Sequence, residues 1–191
     1  MIKHLIFDLF GTLVRVDNSL LGVNLEEFWR HGEKTWMRED VPEQERLVDF
    51  AKEHGVSYKE LCENFSLVEK SASMIPGMLA LLKELKHKYQ LHILSNAGQT
   101  TKQVVLSQPA FAVFDTITCS YEIGAVKPEK EAFTAVLKKV GARPEECVMI
   151  GDSLHADIRG AQEAGMRAIH FDADEHSLDD LRHFLLQNDI L

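Results

Sequence analysis

The sequence predicts an α/β protein, a doubly wound parallel sheet with a small inserted helical segment. Two observations predict it. Through the C-terminal two thirds, strand-length apolar runs alternate with helical patterns of about ten residues, as a parallel sheet covered on both faces requires. Residues 15–74 break that alternation with charged, helix-like sequence and no convincing strand.

The elements follow in order. Ile2–Leu9 is a strand-length run that contains Asp8 and leads into a Gly11-Thr12 turn. The 15–74 stretch is rich in Glu, Lys, Arg and His, with Leu25, Phe28, Trp29 and Trp36 interspersed. It is read as three or four helices, punctuated by Pro42 and Gly55. Met78, Leu79, Leu82 and Leu85 fall at helical spacing behind a Pro76-Gly77 start. Leu91–Leu94 is a short strand ending in Ser95-Asn96, and Thr100–Ser107 suits a short helix. Phe114–Thr118 is a further strand. Ala132, Phe133, Val136, Leu137 and Val140 share a helical face, with Pro128 at its first position and Gly141 as its stop. Cys147–Ile150 is a buried-type strand ending at Gly151-Asp152. Leu154, Ile158 and Ala161 mark a helix stopped by Gly165. Ala168–Phe171 is the last strand, and Leu178, Leu181 and Leu185 the last helix, capped by Ser177. The core is thus expected over 1–14 and 75–191, with 15–74 as a helical cap beside the functional edge.

Composition narrows the function classes. The chain has 191 residues, 45% hydrophobic and 27% charged, enough for a sizeable core. No apolar run approaches the roughly 20 residues of a membrane span. The first residues lack the pattern of a secretory signal, so a cytoplasmic location is expected. Cys62, Cys119 and Cys147 show no metal or redox spacing. A net charge of −9 and no basic block argue against general nucleic-acid binding. The expected partner is a small molecule, and oligomeric state is not legible.

Ligands of open α/β sheets bind beyond the carboxyl ends of the strands. Asp8, Ser95 and Asp152 each lie at such an end and converge if their strands are neighbours. A strand-end Asp alone is an ordinary turn cap, but a carboxylate there can also act as a covalent nucleophile. Asp8, Asp152 and Asp157 together would repel one another unless a cation joined them. Mg²⁺, which takes hard oxygen ligands, suits such a cluster. Asp157 also suits a helix N-terminus electrostatically.

Four segments stand in order: Phe7-Asp8-Leu9-Phe10-Gly11-Thr12, Leu94-Ser95-Asn96, Lys127-Pro128, and Gly151-Asp152-Ser153 followed by Asp157. In this order, at predicted strand ends, they resemble the haloacid dehalogenase superfamily of hydrolases, with the insert where its first type of cap sits. The resemblance spans most of the chain. It implies that Asp8 attacks phosphorus and forms an aspartyl-phosphate. It implies Mg²⁺ held by Asp8, the Phe10 backbone carbonyl and Asp152, assisted by Asp157. Ser95 and Lys127 match the family's phosphate-binding positions. Asn96 and Thr12 are further phosphate-side candidates, Thr12 also orienting the Asp8 loop.

One position departs. The phosphatases of this family carry a second Asp, a general acid and then base, two residues after the nucleophile; here it is Phe10. Such acid–base help is worth roughly 10²–10⁴-fold. Three readings follow. The first is a Mg²⁺-dependent phosphatase of small phosphorylated metabolites, restricted to leaving groups such as acyl or aryl that need no proton. A replacement acid could come from His31, Glu33 or His54. The second is a 2-haloacid dehalogenase, whose members also carry an aromatic residue here. Phe28-Trp29-Arg30 and Thr35-Trp36-Met37-Arg38 faintly resemble its halide-pocket segment, with Arg30 the candidate, but those enzymes have Ser where this chain has Asp152. The third is a non-catalytic phosphate- or protein-binding homologue. A carbon–phosphorus-cleaving relative would need a cap Lys, and nothing singles out Lys34 or Lys52. Trp29 and Trp36, seven apart, are expected on one helical face, with at least one of them packing the cap core.

Overall fold

The computed structural model describes residues 1–40 and 43–191, so the expected break at Pro42 lies outside the described residues. The strands are β1 (His4–Phe7), β2 (Val14–Arg15), β3 (Ser73–Met74), β4 (Gln90–Ser95), β5 (Thr116–Cys119), β6 (Cys147–Gly151) and β7 (Arg167–His170). Five of them form one sheet in the order β5-β4-β1-β6-β7. Each neighbouring pair is parallel.

Strand alternation explains why the apolar runs are continuous. Leu5 and Phe7 point to one face and Ile6 to the other, and all three are fully buried. Leu5 pairs in register with Leu91 and Val148, and Phe7 with Ile93 and Ile150. These residues make one apolar layer with helix α4 (Met78–Leu85) and the C-terminal residues Leu181 and Leu185. On the other face Ile6, Leu94 and Met149 pack with Phe133, Val136 and Ala161.

The inserted segment has its own apolar cluster. Helices α1 (Leu25–Lys34), α2 (Glu43–His54) and α3 (Tyr58–Ser71) follow a 3-10 turn at Asn18–Leu21. Phe28 lies at the centre, its ring 5.0 Å from that of Trp29, 5.1 Å from Trp36, 5.3 Å from Phe50 and 5.7 Å from Phe65. The helix does not reach Trp36, so the two tryptophans do not share a helical face. Thr35 closes α1, and Trp36 folds back over Gly32, where a Cβ would lie 2.6 Å from its ring. Gly55, at φ +66°, follows the end of α2 as expected.

The sequence showed no strand at the joins, yet β2 and β3 pair antiparallel there, Val14 with Met74 and Arg15 with Ser73. Two residues a side are too short to carry a period. The pairing exists because the chain leaves and re-enters the core side by side.

The remaining helices are α5 (Gln99–Val104), α6 (Ser120–Ile123), α7 (Lys130–Val140), α8 (Gly160–Glu163) and α9 (Leu178–Gln187). Pro128 is not the first residue of α7. It follows a cis peptide bond after Lys127, and Glu129 still has an extended ψ of 135°. Gly141 closes α7 in the left-handed region, and Ser177 accepts a hydrogen bond from the Asp180 N–H at the start of α9. The helix expected after Asp152 begins as a π-helix, Leu154–Arg159, before α8. Among the described residues, no helix is long and apolar enough to cross a membrane.

Candidate active site

Strand order makes the site. β1 lies between β4 and β6, so Asp8 after β1, Ser95 at the end of β4 and Asp152 after β6 come to one edge. The carboxylate oxygens offered by Asp8, Asp152 and Asp157 all lie within 4.8 Å of one another. Lys127 Nζ donates to Asp8 Oδ1 at 2.5 Å and to Asp157 Oδ1 at 2.6 Å. Asp8, Lys127 and Asp157 are buried, at 8%, 3% and 1% exposure.

Burial sets the electrostatics. It pushes the Asp8 carboxyl up to about 6 against the pull of Lys127, with the Asp152 charge adding to the rise. Asp157 is likewise raised to about 6 by burial, opposed by Lys127 and helped by Asp8. Burial and the Asp157 charge also raise Asp152. For Lys127, burial favours the neutral amine, but the attraction of Asp157 and Asp8 outweighs it and holds the ammonium charged. One ammonium between two carboxylates satisfies groups that would otherwise be too costly to bury.

Two glycines allow this crowding. A Cβ on Gly151 would lie 2.4 Å from the Asp157 carboxyl carbon. A Cβ on Gly11, at φ +76°, would lie 2.8 Å from the Asp152 carboxyl. Asp157 is fixed further by the Ser153 N–H, which donates to Oδ2 at 3.0 Å. π-Helical turns of this kind occur often at functional sites. Here the turn places Asp157 beneath Lys127.

The other predicted residues separate. Ser95 is buried and lines the cavity above the cluster. Asn96 also lines it, but its side chain is spent on Lys127: Nδ2 donates to the Lys127 carbonyl at 2.9 Å, and Oδ1 accepts from the Lys127 N–H at 2.7 Å. Asn96 therefore fixes the lysine loop. Thr12 is fully buried, and its hydroxyl faces Asp152 Oδ1 at 3.4 Å. That contact orients Asp152 and gives Thr12 no place in the cavity wall. Phe10 does line the cavity. Arg30 does not: it is exposed, and its guanidinium pairs with Glu26 one helical turn away. The α1 phase points it outward, so the expected halide-pocket arginine is not brought to the site. His31 packs against Trp36 and Phe50, and His54 stacks on Phe50 at 4.1 Å. Of the three proposed replacement acids, Glu33 lines the cavity.

The cavity, about 290 Å³, lies between the sheet edge and the insert. Trp29, Trp36, Met37, Phe65 and Val68 form its insert side. The tryptophans thus both pack the insert core and wall the cavity. Sequence reasoning missed Glu69, which is 2% exposed in the lining and accepts a hydrogen bond from the Thr101 hydroxyl at 2.8 Å. A signal was present: Glu69 continues the buried α3 stripe of Leu61 and Phe65 at four-residue steps.

The donor set fits a divalent cation. Three carboxylates against one ammonium leave two negative charges on hard oxygen atoms. Asp157 is engaged by Lys127 and Ser153, which leaves Asp8 and Asp152 to present oxygens to an ion.

Comparison with known proteins agrees with this geometry. A family model described as haloacid dehalogenase-like hydrolase matches residues 2–165. The chain is 38% identical over 97 residues to a glyceraldehyde 3-phosphate phosphatase of Methanothermobacter thermautotrophicus, covering 49% of this chain and 42% of that protein. It is 25% identical over 186 residues to pyrophosphatase PpaX of Bacillus cereus, covering 87% of this chain and 81% of that protein. A family enzyme from Bacteroides thetaiotaomicron, solved with magnesium and inorganic phosphate, superposes with a TM-score of 0.69 at 25% identity, over 89% of this chain and 94% of that one. The match spans about half the length of the first curated relatives. With the four motifs gathered at one sheet edge and the family model matched over most of its length, the chain belongs to the haloacid dehalogenase-like hydrolases.

Proposed function

We propose that this protein is a Mg²⁺-dependent phosphohydrolase of small phosphorylated metabolites, acting in the cytoplasm through an aspartyl-phosphate on Asp8. The observation that carries this reading is the buried Asp8–Lys127–Asp157 chain beneath a cavity that also holds Ser95 and Asp152. Asp8 attacks phosphorus, the bond to the leaving oxygen breaks, and that oxygen takes the electron pair. Water then attacks phosphorus, the bond from phosphorus to the Asp8 oxygen breaks and returns the carboxylate, and the water's proton stays on the released phosphate. Lys127 lowers the repulsion between Asp8 and the phosphoryl oxygens, and Ser95 donates its hydroxyl to them. Asn96 holds the lysine loop, and Thr12 orients Asp152. Asp8, the Phe10 carbonyl and Asp152 would hold Mg²⁺, with Asp157 in support. When bound, the ion supplies positive charge against the developing phosphoryl charge. The helices of residues 15–74 serve as the cap that closes over substrate. The phosphatase names of curated relatives support this reading. The dehalogenase alternative loses its halide-binding arginine with Arg30 turned outward.

The test is nitrophenolate release from para-nitrophenyl phosphate, with Mg²⁺ and with EDTA, beside an Asp8→Asn control. Turnover is expected only with metal and with Asp8 intact. No release above the Asp8→Asn background would sink the reading and direct attention to halide release from 2-haloacids.

A further inference from the structure

We propose that this site selects phosphate monoesters of small, uncharged phenols and rejects esters that carry a second anion. The proposal rests on the phosphohydrolase reading above and names its substrate class. Three features of the cavity carry it.

The first is charge. The lining holds five carboxylates, Asp8, Glu33, Glu69, Asp152 and Asp157. Among the described residues its one cation is Lys127, already shared between Asp8 and Asp157. Nearby arginines are already engaged: Arg38 makes a two-pronged pair with Glu129, at 3.0 and 2.7 Å, and donates through Nε to the Glu33 carbonyl at 2.6 Å, and Arg30 pairs with Glu26. Once the phosphoryl group sits on Asp8 and Lys127, no further cationic side chain of the lining remains for a carboxylate or second phosphate. Such a group would face Glu33 and Glu69 from the insert side. In a cleft lined by one sign of charge, this repulsion is focused rather than dispersed.

The second is the wall. Trp29, Trp36, Met37, Phe65 and Val68 line the cavity from the insert, and Phe10 lines it from the core. This is a surface for a flat apolar group, and flat rings gain most from offset or edge contacts with such walls. At about 290 Å³ the cavity is at the small end for a ligand pocket, which favours a single ring.

The third is the leaving group. Phe10 lines the cavity with Asp8 at the position where the family resemblance implies an acid toward the departing oxygen, and it offers no proton. A phenolate leaves without that help, whereas an alkoxide does not. Wall, charge and chemistry therefore select the same kind of ester.

The experiment compares three esters by phosphate release with Mg²⁺: phenyl phosphate, meta-carboxyphenyl phosphate and cyclohexyl phosphate. The two phenols have closely matched acidity, so their ratio reports charge. The phenyl and cyclohexyl esters share size and neutrality, so their ratio reports the leaving group and the ring. Phenyl phosphate is expected to exceed the carboxylated ester by roughly 30-fold in kcat/KM, and the cyclohexyl ester by at least about 100-fold. Glu33→Gln, at the exposed lip, and Glu69→Gln should each narrow the phenyl to carboxyphenyl ratio by about threefold to tenfold. Turnover of phenyl phosphate with either ratio near one, or with a preference for the carboxylated ester, overturns the substrate class and leaves a phosphatase. Absence of metal-dependent release from all three removes the phosphatase reading and the substrate class together.

Discussion

Phe10 shows how one residue changes what a site can do. The rest of the arrangement is present around it: oxygens of Asp8, Asp152 and Asp157 lie within 4.8 Å of one another, and Lys127 bonds Asp8 and Asp157. Replacing Phe10→Asp puts a proton donor into the cavity wall. It is expected to raise turnover of cyclohexyl phosphate by about 10²-fold or more, measured as phosphate release. An unchanged rate would mean that position 10 does not face the leaving oxygen. Lys127 is a different kind of residue, because two buried carboxylates depend on it. Lys127→Met is expected to abolish turnover and to cost on the order of 3–5 kcal/mol in urea unfolding, by leaving Asp8 and Asp157 buried without their cation. A variant as stable as the parent would show that the pair protonates instead. Asp8 and Lys127 were legible in the sequence as motif positions. Glu69 was not picked out, because a glutamate on a charged helix is ordinarily solvated, and only its place on the buried stripe distinguishes it.

At the scale of elements, β1 and β4 bring two histidines together near the sheet end opposite the site. His4 Nδ1 lies 3.1 Å from His92 Nε2, and His92 Nδ1 lies 2.9 Å from the Thr116 hydroxyl. Burial, reinforced by the neighbouring His4 charge, lowers His92 to about 4. Between that value and the ordinary 6.5 the unfolded chain binds more protons than the folded one. This contribution to stability is therefore intact above about pH 6.5 and lost as pH falls toward 4. Asp8 and Asp157, both raised to about 6, act with the opposite sign in part of the same window. The difference between parent and His92→Gln separates the histidine pair from these carboxylates, since His4 touches His92 and is itself lowered by burial. Its acid limb should flatten by on the order of 1–3 kcal/mol between pH 6.5 and 4 in urea titrations. Parallel pH profiles would show that the histidine protonates without opening the sheet. The sequence showed no ligand spacing for either residue, and their contact exists only through the register of β1 on β4.

For the whole molecule, the joint between sheet edge and insert matters most. The insert has a core of its own around Phe28, and the cavity is the space it leaves over Asp8. Mg²⁺ bound to the native acidic cluster should stabilise the entire chain by linkage. At a concentration one hundred times Kd this amounts to about 2.7 kcal/mol, or roughly 5–10 °C in Tm. Thermal unfolding with Mg²⁺ and with EDTA reads this directly, and Asp152→Asn should remove most of the shift. An equal shift in that variant would place the ion elsewhere.

The sequence by itself determined the layered α/β fold, the five core strands and the four motif segments. These depend on local period and on residue types at strand ends, both of which are written along the chain. Its charged, helix-like run between 15 and 74 agrees with helices α1, α2 and α3, though the β2–β3 pair is too short to show a pattern. Only the tertiary structure decided which side chains meet. It turned Arg30 to solvent, spent Asn96 on the Lys127 loop and set Thr12 against Asp152. It also brought Glu33 and Glu69 from the insert into the cavity that holds Asp8. The physical reason is that orientation and charge neighbourhood come from strand order and from how the insert seats on the sheet. Residues far apart in sequence set both, and no local pattern records them.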